Sequence, residues 1–432
     1  MARSRAKLAL LASVVVALMA TPLIIWSVTQ ERPQVEPPRN GGGNNNSGTV
    51  TPPVVPRPPP VVKVVSAPSA FPFVERWVAA YNSNASREAT VQVSYAEAVD
   101  DVRAMSAYAD YGSFLQSHSA DVAVTGLLLR QREPLPPPQG NATVLLLPVS
   151  PHAVAIVYNI PGFPDVPSGL RLNSTVTGAI MSGNATSWND PRISQLNPDI
   201  SLPDKPIIVV REGYPGSATL LLERYMNGGS NNSRIDWPGS SVPAGSADVL
   251  STTVRQTPYS VGYVDFVFAV QTRMTYAALQ DGSSGQYVLP STESIASAIA
   301  NRTTLGQGTP PEVAMPSLPP PPAPPSQQQP GNSNSNNNTR SISYPAVGFY
   351  YAAVDTSSNS NNNATTSGSP AMDFARWLTG EGQRVLADST EYPPLYQNNP
   401  ALQAWLEEQK MMTDVKREEN EREGEESAAR AP

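Results

Sequence analysis

Apolar and polar positions follow three different patterns along the chain. Residues 8–28 form an almost unbroken apolar run behind Arg3, Arg5 and Lys7, close to the roughly 20 residues needed to cross a bilayer. Residues 31–67 lose all periodicity and become rich in Pro, Gly and Asn, a composition that buries too little apolar surface to fold and reads as a spacer. From Ser69 onward a helical period appears, with Phe73, Trp77, Val78 and Tyr81 on one face and Ser69 as the expected N-cap. Strand-like runs at 91–95 and 121–126 flank a helix expected near 100–111. The runs TVLLLPVSP (143–151) and AVAIVYN (153–159) read as two buried strands.

The central stretch, 154–226, predicts a strand at 154–158, a turn at Pro161-Gly162 and a polar segment around Trp188-Asn189-Asp190-Pro191. A second strand at 206–210 and a loop opening a helix at 218–226 complete it. Strand to loop to helix start is the order in which an α/β domain presents backbone N–H groups to an anion. Arg211 ends the second strand, and Gly216-Ser217 lie where the helix begins.

Composition narrows the function classes. No cysteine is present, which excludes disulfides, a lipidated N-terminal cysteine and cysteine-ligated metals. Two histidines, His118 and His152, are too few for a multi-histidine metal site, and neither stands in a catalytic spacing; no metal or other cofactor is expected and no enzymatic activity. The net charge of −7 argues against a nucleic-acid surface and requires any anion to be drawn in by a local positive potential. Residues 8–28 read either as a signal peptide or as an uncleaved anchor, within a 1–30 leader segment; both export the rest of the chain, and the run's length and the lack of a clean A-x-A site favour the anchor. Asn-x-Ser/Thr sequons at Asn45, Asn84, Asn141, Asn173, Asn184, Asn231, Asn301, Asn337 and Asn363 suggest a glycosylated surface protein. Residues 305–339 and 356–369 read as disordered insertions, and 401–432 as an amphipathic helix (Leu402, Trp405, Leu406) running into a charged tail.

The run IVYNIPG, the WNDPRI…LNPD…LP block and an arginine ahead of a glycine/serine loop resemble the phosphate-binding protein of bacterial and archaeal phosphate ABC transporters. The likeness extends through SAFPFVERWVAAYN, DVAVTG, TPYSVGYVDFVFAVQ, YPAVGFYYAAV and DFARWLTGEGQRVLADSTEYPPLY, covering roughly 66–400. This resemblance implies an α/β fold of the type II periplasmic-binding-protein kind, with two lobes and a hinge: lobe I at 66–157 plus 263–400, lobe II at 158–262, and crossings near Asn159 and Tyr263. It also implies a monomer that binds inorganic phosphate or a similar oxyanion and serves an ABC permease.

The resemblance further implies a ligand set, carried over here position by position. The family uses a Thr-Phe pair at the first helix, a Ser in a Gly-rich loop, a Ser-Asp pair ending a strand, and an Arg followed by a Ser-Gly-Thr loop. Phe71 matches, with Ala70 in place of the threonine; Arg211 and Gly216 match; Ser217 substitutes for threonine, and Thr125 for the strand-end serine. Gly126 stands where the proton-accepting aspartate is expected, and Pro215 replaces the loop serine. The Gly-rich loop is replaced by AEAVDD, which brings Glu97, Asp100 and Asp101. These residues read either as an ordinary helix start or as carboxylates opposing an anion. The expectation is an extracytoplasmic, surface-anchored phosphate-binding protein with a partly degenerate site; the alternative is a glycosylated scaffold, adhesion or sensor module that keeps the fold and binds no phosphate.

Overall fold

The computed structural model describes residues 59–108, 110–128, 144–162, 169–229, 234–306, 310–316, 342–356, 369–397 and 399–410. The expected anchor, residues 31–58 of the expected spacer, most of both insertions and the tail beyond 410 lie outside these residues. The spacer does not run to 67 as expected: the apolar residues of Val61–Ser66 form a strand that pairs with Thr90–Tyr95 and with Val122–Val124 and buries Val62, Val64 and Val65. Among the described residues no helix is long and apolar enough to cross a membrane.

In chain order the strands are β1 (Val61–Ser66), β2 (Thr90–Tyr95), β3 (Val122–Thr125), β4 (Val144–Asn159), β5 (Arg171–Leu172), β6 (Ile208–Glu212) and β7 (Val242–Ala244). There follow β8 (Ser260–Asp265), β9 (Thr275–Tyr276), β10 (Ala278–Gln280), β11 (Tyr287–Val288), β12 (Thr303–Thr304), β13 (Glu312–Val313) and β14 (Val347–Asp355). One sheet runs β2-β1-β3-β14-β4-β8-β6-β7, with β9 added on β4. Strand β4 organises it. Its first part pairs with β14, from Asp355↔Val144 to Val347↔Ala153, and its second part pairs with β8, from Val154↔Asp265 to Asn159↔Ser260. The partner therefore changes between Ala153 and Val154, and the fold is a mixed α/β, two-lobed architecture of the type II periplasmic-binding kind whose halves share this strand. Asn159 and Tyr263 lie in the second part of this pairing, Tyr263 opposite Ile156.

The two expected strands at 143–151 and 153–159 are thus one strand of 16 residues. The strand runs on through Pro148 and Pro151, and its register with β14 shifts between Tyr350 and Tyr351, which face Ser150 and Pro148 and leave Val149 as the extra residue. Proline has no N–H to donate, so an irregularity is where a long strand tolerates it. The carbonyls there are put to use: Pro148 O accepts from Tyr396 Oη at 2.6 Å, and Val149 O from Gln383 Nε2 at 2.8 Å. Continuous apolar sequence fits a strand covered on both faces, and β4 is buried over most of its length.

The helix after β1 spans Phe71–Asn82 and buries Phe73, Trp77 and Tyr81 as the period predicts. Ser69 is not its N-cap. It belongs to a 3-10 turn, Pro68–Ala70, and the helix starts without a side-chain cap. The helix expected near 100–111 is two short ones, Val102–Met105 and Tyr111–Ser117, each capped by an aspartate: Asp101 accepts from Arg103 N–H at 2.8 Å and Asp110 from Ser113 N–H at 2.7 Å. Within the first expected insertion, Glu312–Val313 pair with β12, Val313 is fully buried, and Pro311 O accepts from Tyr351 Oη. Residues 400–410 are helical and bury Leu402, Trp405 and Leu406.

Candidate functional site

Strand β6 ends at Glu212, and the loop 213–215 leads to Gly216, which caps the helix Ser217–Met226. A helix start leaves several N–H groups without partners and carries a partial positive charge. Here two of the chain's own carboxylates answer it. Glu212 folds back so that its Oε2 accepts from Gly216 N–H at 3.1 Å and from Thr219 Oγ1 at 2.6 Å. Tyr263 Oη lies 2.6 Å from the same hydroxyl and accepts from Glu212 N–H at 3.2 Å.

Asp100 supplies the second carboxylate, from the far side of the loop. Its Oδ2 accepts from Ser217 Oγ at 2.9 Å and from Ser69 Oγ at 3.4 Å. The backbone N–H groups of Ser217 and Gly126 also face it and favour its charged form. A backbone bond, Val102 N–H to Pro215 O at 3.1 Å, ties the two loops together beside it. Glycine at 216 eases this approach, since a Cβ there would lie 3.2 Å from Asp100 Oδ2 and 3.0 Å from Glu212 Oε2, closer than an ordinary contact. The cleft left between Ser69, Asp100, Glu212 and Gly216 holds about 30 Å³, room for one or two waters and no more.

Burial and the neighbouring Glu212 charge push the Asp100 carboxyl up to about 7, against the pull of Ser217 and the Gly126 amide. Among the described residues its buried Oδ1 has no hydrogen-bond partner. Burial likewise raises Glu212, opposed by Thr219 and the Gly216 amide.

The residues expected to bind an anion fall into two groups. Gly216 and Ser217 sit at the helix start, and Gly126 faces them across the cluster. Arg211 lies within β6, and its guanidinium turns aside: Nε donates to Ser241 Oγ at 3.1 Å, Nη1 to Glu212 O at 2.9 Å, and the group lies 5.9 Å from the Trp237 ring centroid. Thr125 is buried with its hydroxyl committed, donating to Val99 O at 2.8 Å and accepting from Leu127 N–H at 3.0 Å. Ala70 is fully buried, and its N–H goes to Ala67 O. Phe71 is half exposed and packs on Tyr95.

Glu212 was not expected at the site; Ser69 was expected only as an N-cap and Tyr263 only as a hinge crossing, and neither the Ser69 hydroxyl, the Thr219 hydroxyl nor the Tyr263 phenol was expected to meet these carboxylates. An acidic residue between a strand end and a glycine loop is the one signal that could have pointed to Glu212. Gly126 leaves no room for the missing aspartate, because a Cβ there would fall 2.6 Å from both Cβ and Oγ of Ser217.

A second buried polar cluster lies beside the point where β4 changes partners. Asp265 caps the helix Phe266–Gln271 through Val267 N–H and accepts from Tyr392 Oη at 2.7 Å and Tyr350 Oη at 3.3 Å. Burial raises its carboxyl to about 7 and lowers neighbouring His152 to about 3. The 3.8 Å separation of His152 Nε2 and Asp265 Oδ2 is therefore a contact with a neutral imidazole, not an ion pair. His118 stacks on Phe114 at the end of its short helix. Among the described residues no group of three or more His, Cys, Asp or Glu side chains could hold a metal ion.

The chain is similar to the phosphate-binding protein PstS of Xylella fastidiosa strain Temecula1, 32% identical over 160 residues, which is 35% of this chain and 43% of that protein. It is similar also to the PstS of Methanocaldococcus jannaschii, 30% identical over 162 residues, 34% of this chain and 41% of that protein. The chain thus spans less than half the length of the curated relatives it matches. Among solved structures, a high affinity periplasmic phosphate-binding protein (PfluDING) bound with phosphate shares the fold at 16% identity, with a TM-score of 0.52 over 80% of this chain and 92% of that one. The profile of the PBP superfamily domain matches residues 54–381, about three quarters of the chain. The resemblance to phosphate-binding proteins of the PstS type stands on these matches, and the chain belongs to the PBP superfamily.

Proposed function

We propose that this chain is an extracytoplasmic oxyanion-binding protein of the phosphate-receptor class, and that its anion site is now held by its own Asp100. One observation carries the reading. Ser69 Oγ, the Gly126 amide and Ser217, through its hydroxyl and its backbone N–H at the helix start, converge on a single oxyanion, and that oxyanion is a carboxylate of the protein. The site keeps donors suited to an anion, and phosphate has to displace Asp100 to use them. Arg211 would swing from Ser241 to join the bound anion, adding charge-assisted hydrogen bonds. In this reading the chain binds rather than catalyses, the lobes at 66–157 plus 263–400 and at 158–262 meet at the site, and residues 8–28 retain the protein at the outer face of a membrane beside a permease. Sugars on the exposed Asn84, Asn184 and Asn301 would face solvent.

A second reading, a surface scaffold that binds no phosphate, is favoured by one fact: the remaining space of about 30 Å³ is too small for the anion while Asp100 and Glu212 stay in place. Isothermal titration of the full chain with phosphate, sulfate and arsenate separates the two. Wild type is expected to bind phosphate weakly, in the millimolar range, and Asp100→Ala at least about tenfold more tightly, because an internal competitor has been removed. If neither protein takes up any of the three anions, the receptor reading fails and the scaffold reading replaces it.

A further inference from the structure

A relay of hydroxyls runs from the anion cluster to the point where β4 changes partners, with a buried carboxyl at each end. Ser69, in the 3-10 turn, reaches Asp100 Oδ2 at 3.4 Å and also hydrogen-bonds the phenol of Tyr350 on β14. Tyr350 Oη reaches Asp265 Oδ2 at 3.3 Å, and Asp265 closes β8 opposite Val154. All four side chains are buried, and the Phe73 and His152 rings cover Tyr350 at 5.2 and 4.4 Å between centroids.

A count of protons decides what such a relay does. Burial holds the Tyr350 phenol well above its ordinary range, so it stays protonated. Ser69 and Tyr350 bring one hydroxyl proton each, two for the three contacts Asp100–Ser69, Ser69–Tyr350 and Tyr350–Asp265. With both carboxyls ionised, each hydroxyl turns to its own carboxylate, and the Ser69 and Tyr350 oxygens face each other with no proton between them. A proton on either carboxyl fills the third contact and aligns the hydroxyls in one direction. Protonated Asp265 donates to Tyr350, Tyr350 to Ser69, and Ser69 to whatever oxyanion holds the Asp100 position; protonated Asp100 reverses the order. Passing from one arrangement to the other moves three protons by one hop each and leaves the total charge unchanged. Asp265 is faced also by Tyr392 Oη, by Val267 N–H and by His152, which burial keeps neutral. Asp100 is faced by Glu212, Ser217 and the Gly126 amide.

We propose that Ser69 and Tyr350 couple Asp100 and Asp265 into one titrating unit, and that Asp265 is a positioning residue for the anion site: while it holds its proton, the Ser69 hydroxyl is directed into that site. This deepens the receptor reading and rests on it for its use, since Ser69 is one of the donors an anion takes over from Asp100. Burial raises Asp265 to about 7, so the donor is directed at the site in mildly acid solution and is contested by Tyr350 as pH rises through that value.

The test is a titration of the full chain, without added anion, followed by NMR of 13C-labelled aspartate carboxyls, the two signals being assigned by their loss in Asp100→Asn and Asp265→Asn. Asp265→Asn supplies Tyr350 with an amide proton that a carboxylate lacks, and should lower the Asp100 midpoint by about one pH unit or more; Asp100→Asn should lower the Asp265 midpoint likewise. In a Tyr350→Phe background the relay is cut, and Asp265→Asn should move the Asp100 midpoint less than about half as far. Ser69→Ala cuts the relay at its other hydroxyl and should give the same result, which keeps the test open if Tyr350→Phe does not fold by circular dichroism. Equal shifts with and without the hydroxyls would mean that the carboxyls sense each other only as charges through space, and midpoints indifferent to the partner would mean no coupling; either result overturns the proposal. A failure of anion binding in calorimetry would strike the receptor reading instead, because the titration contains no anion.

Discussion

Replacing Asp100 with asparagine should stabilise the protein at alkaline pH, although it removes a side chain that makes two hydrogen bonds. The carboxyl is raised from 3.8 to about 7 by burial and by Glu212. Between those two values the folded chain holds a proton that the unfolded chain has released, so stability falls as pH rises and levels off above about 7. At about 1.4 kcal/mol per pH unit, Asp100 accounts for a loss of roughly 3 kcal/mol between about pH 5 and pH 8. Asp265, also raised to about 7, adds a comparable fall. Asparagine keeps an acceptor for Ser217 and Ser69 and never ionises. Asp100→Asn should therefore match wild type near pH 5 within about 1 kcal/mol and exceed it by about 2 kcal/mol at pH 8, once some loss of helix-start attraction is allowed for. Urea unfolding at pH 5, 6.5 and 8, with the slope of the transition held in common, reads this directly. A wild type that gains stability toward pH 8, or a variant less stable than wild type there by more than about 1 kcal/mol, would show that Asp100 is ionised and well paired and that the reasoning about its burial is wrong.

The other predictions are of stability as well. Gly126→Asp, the change that would restore the expected aspartate, should cost at least about 3 kcal/mol in urea unfolding, because its Cβ meets Ser217 at 2.6 Å against a fixed helix start; a cost under about 1 kcal/mol would mean that the loop yields. Tyr392→Phe leaves Ala153 N–H without its acceptor and Asp265 without its 2.7 Å donor, so a loss of about 2 kcal/mol is expected, larger at pH 8 than at pH 5.5 because Asp265 is then ionised; thermal melts at both values would reveal an equal loss if the carboxyl does not titrate. Deleting 317–341 should change stability by less than about 0.5 kcal/mol, whereas deleting 309–341 should cost about 3 kcal/mol or more, since it removes buried Val313, the pairing of β12 with β13 and the Tyr351–Pro311 bond; equal melting temperatures for the two would refute the packing of Val313.

What the linear order of residues determined was what depends on local period and on local chemistry. The apolar spacing from Phe73 to Tyr81 placed that helix and its buried face, the strand–loop–helix order placed Gly216 and Ser217 at a helix start, and the sequence blocks around them sufficed for the fold and family. Composition marked 31–67 as a spacer, yet Val61–Ser66 became a strand of the sheet because β2 and β3 pair on either side of it. Tertiary structure alone decided which groups meet. Whether β4 was one strand or two depended on β14 pairing along both runs, with a register shift between Ser150 and Pro148, which no window along the chain contains. Residues 100 and 217 stand 117 positions apart, and nothing local distinguishes Asp100, which turns inward to Ser217, from Asp101, which caps the next helix. Arg211 kept its place in the sequence pattern, while Ser241 and the Glu212 carbonyl drew its guanidinium away. A motif specifies which donors are available; the dense packing around them decides which acceptor they hold, and here that acceptor is the chain's own carboxylate.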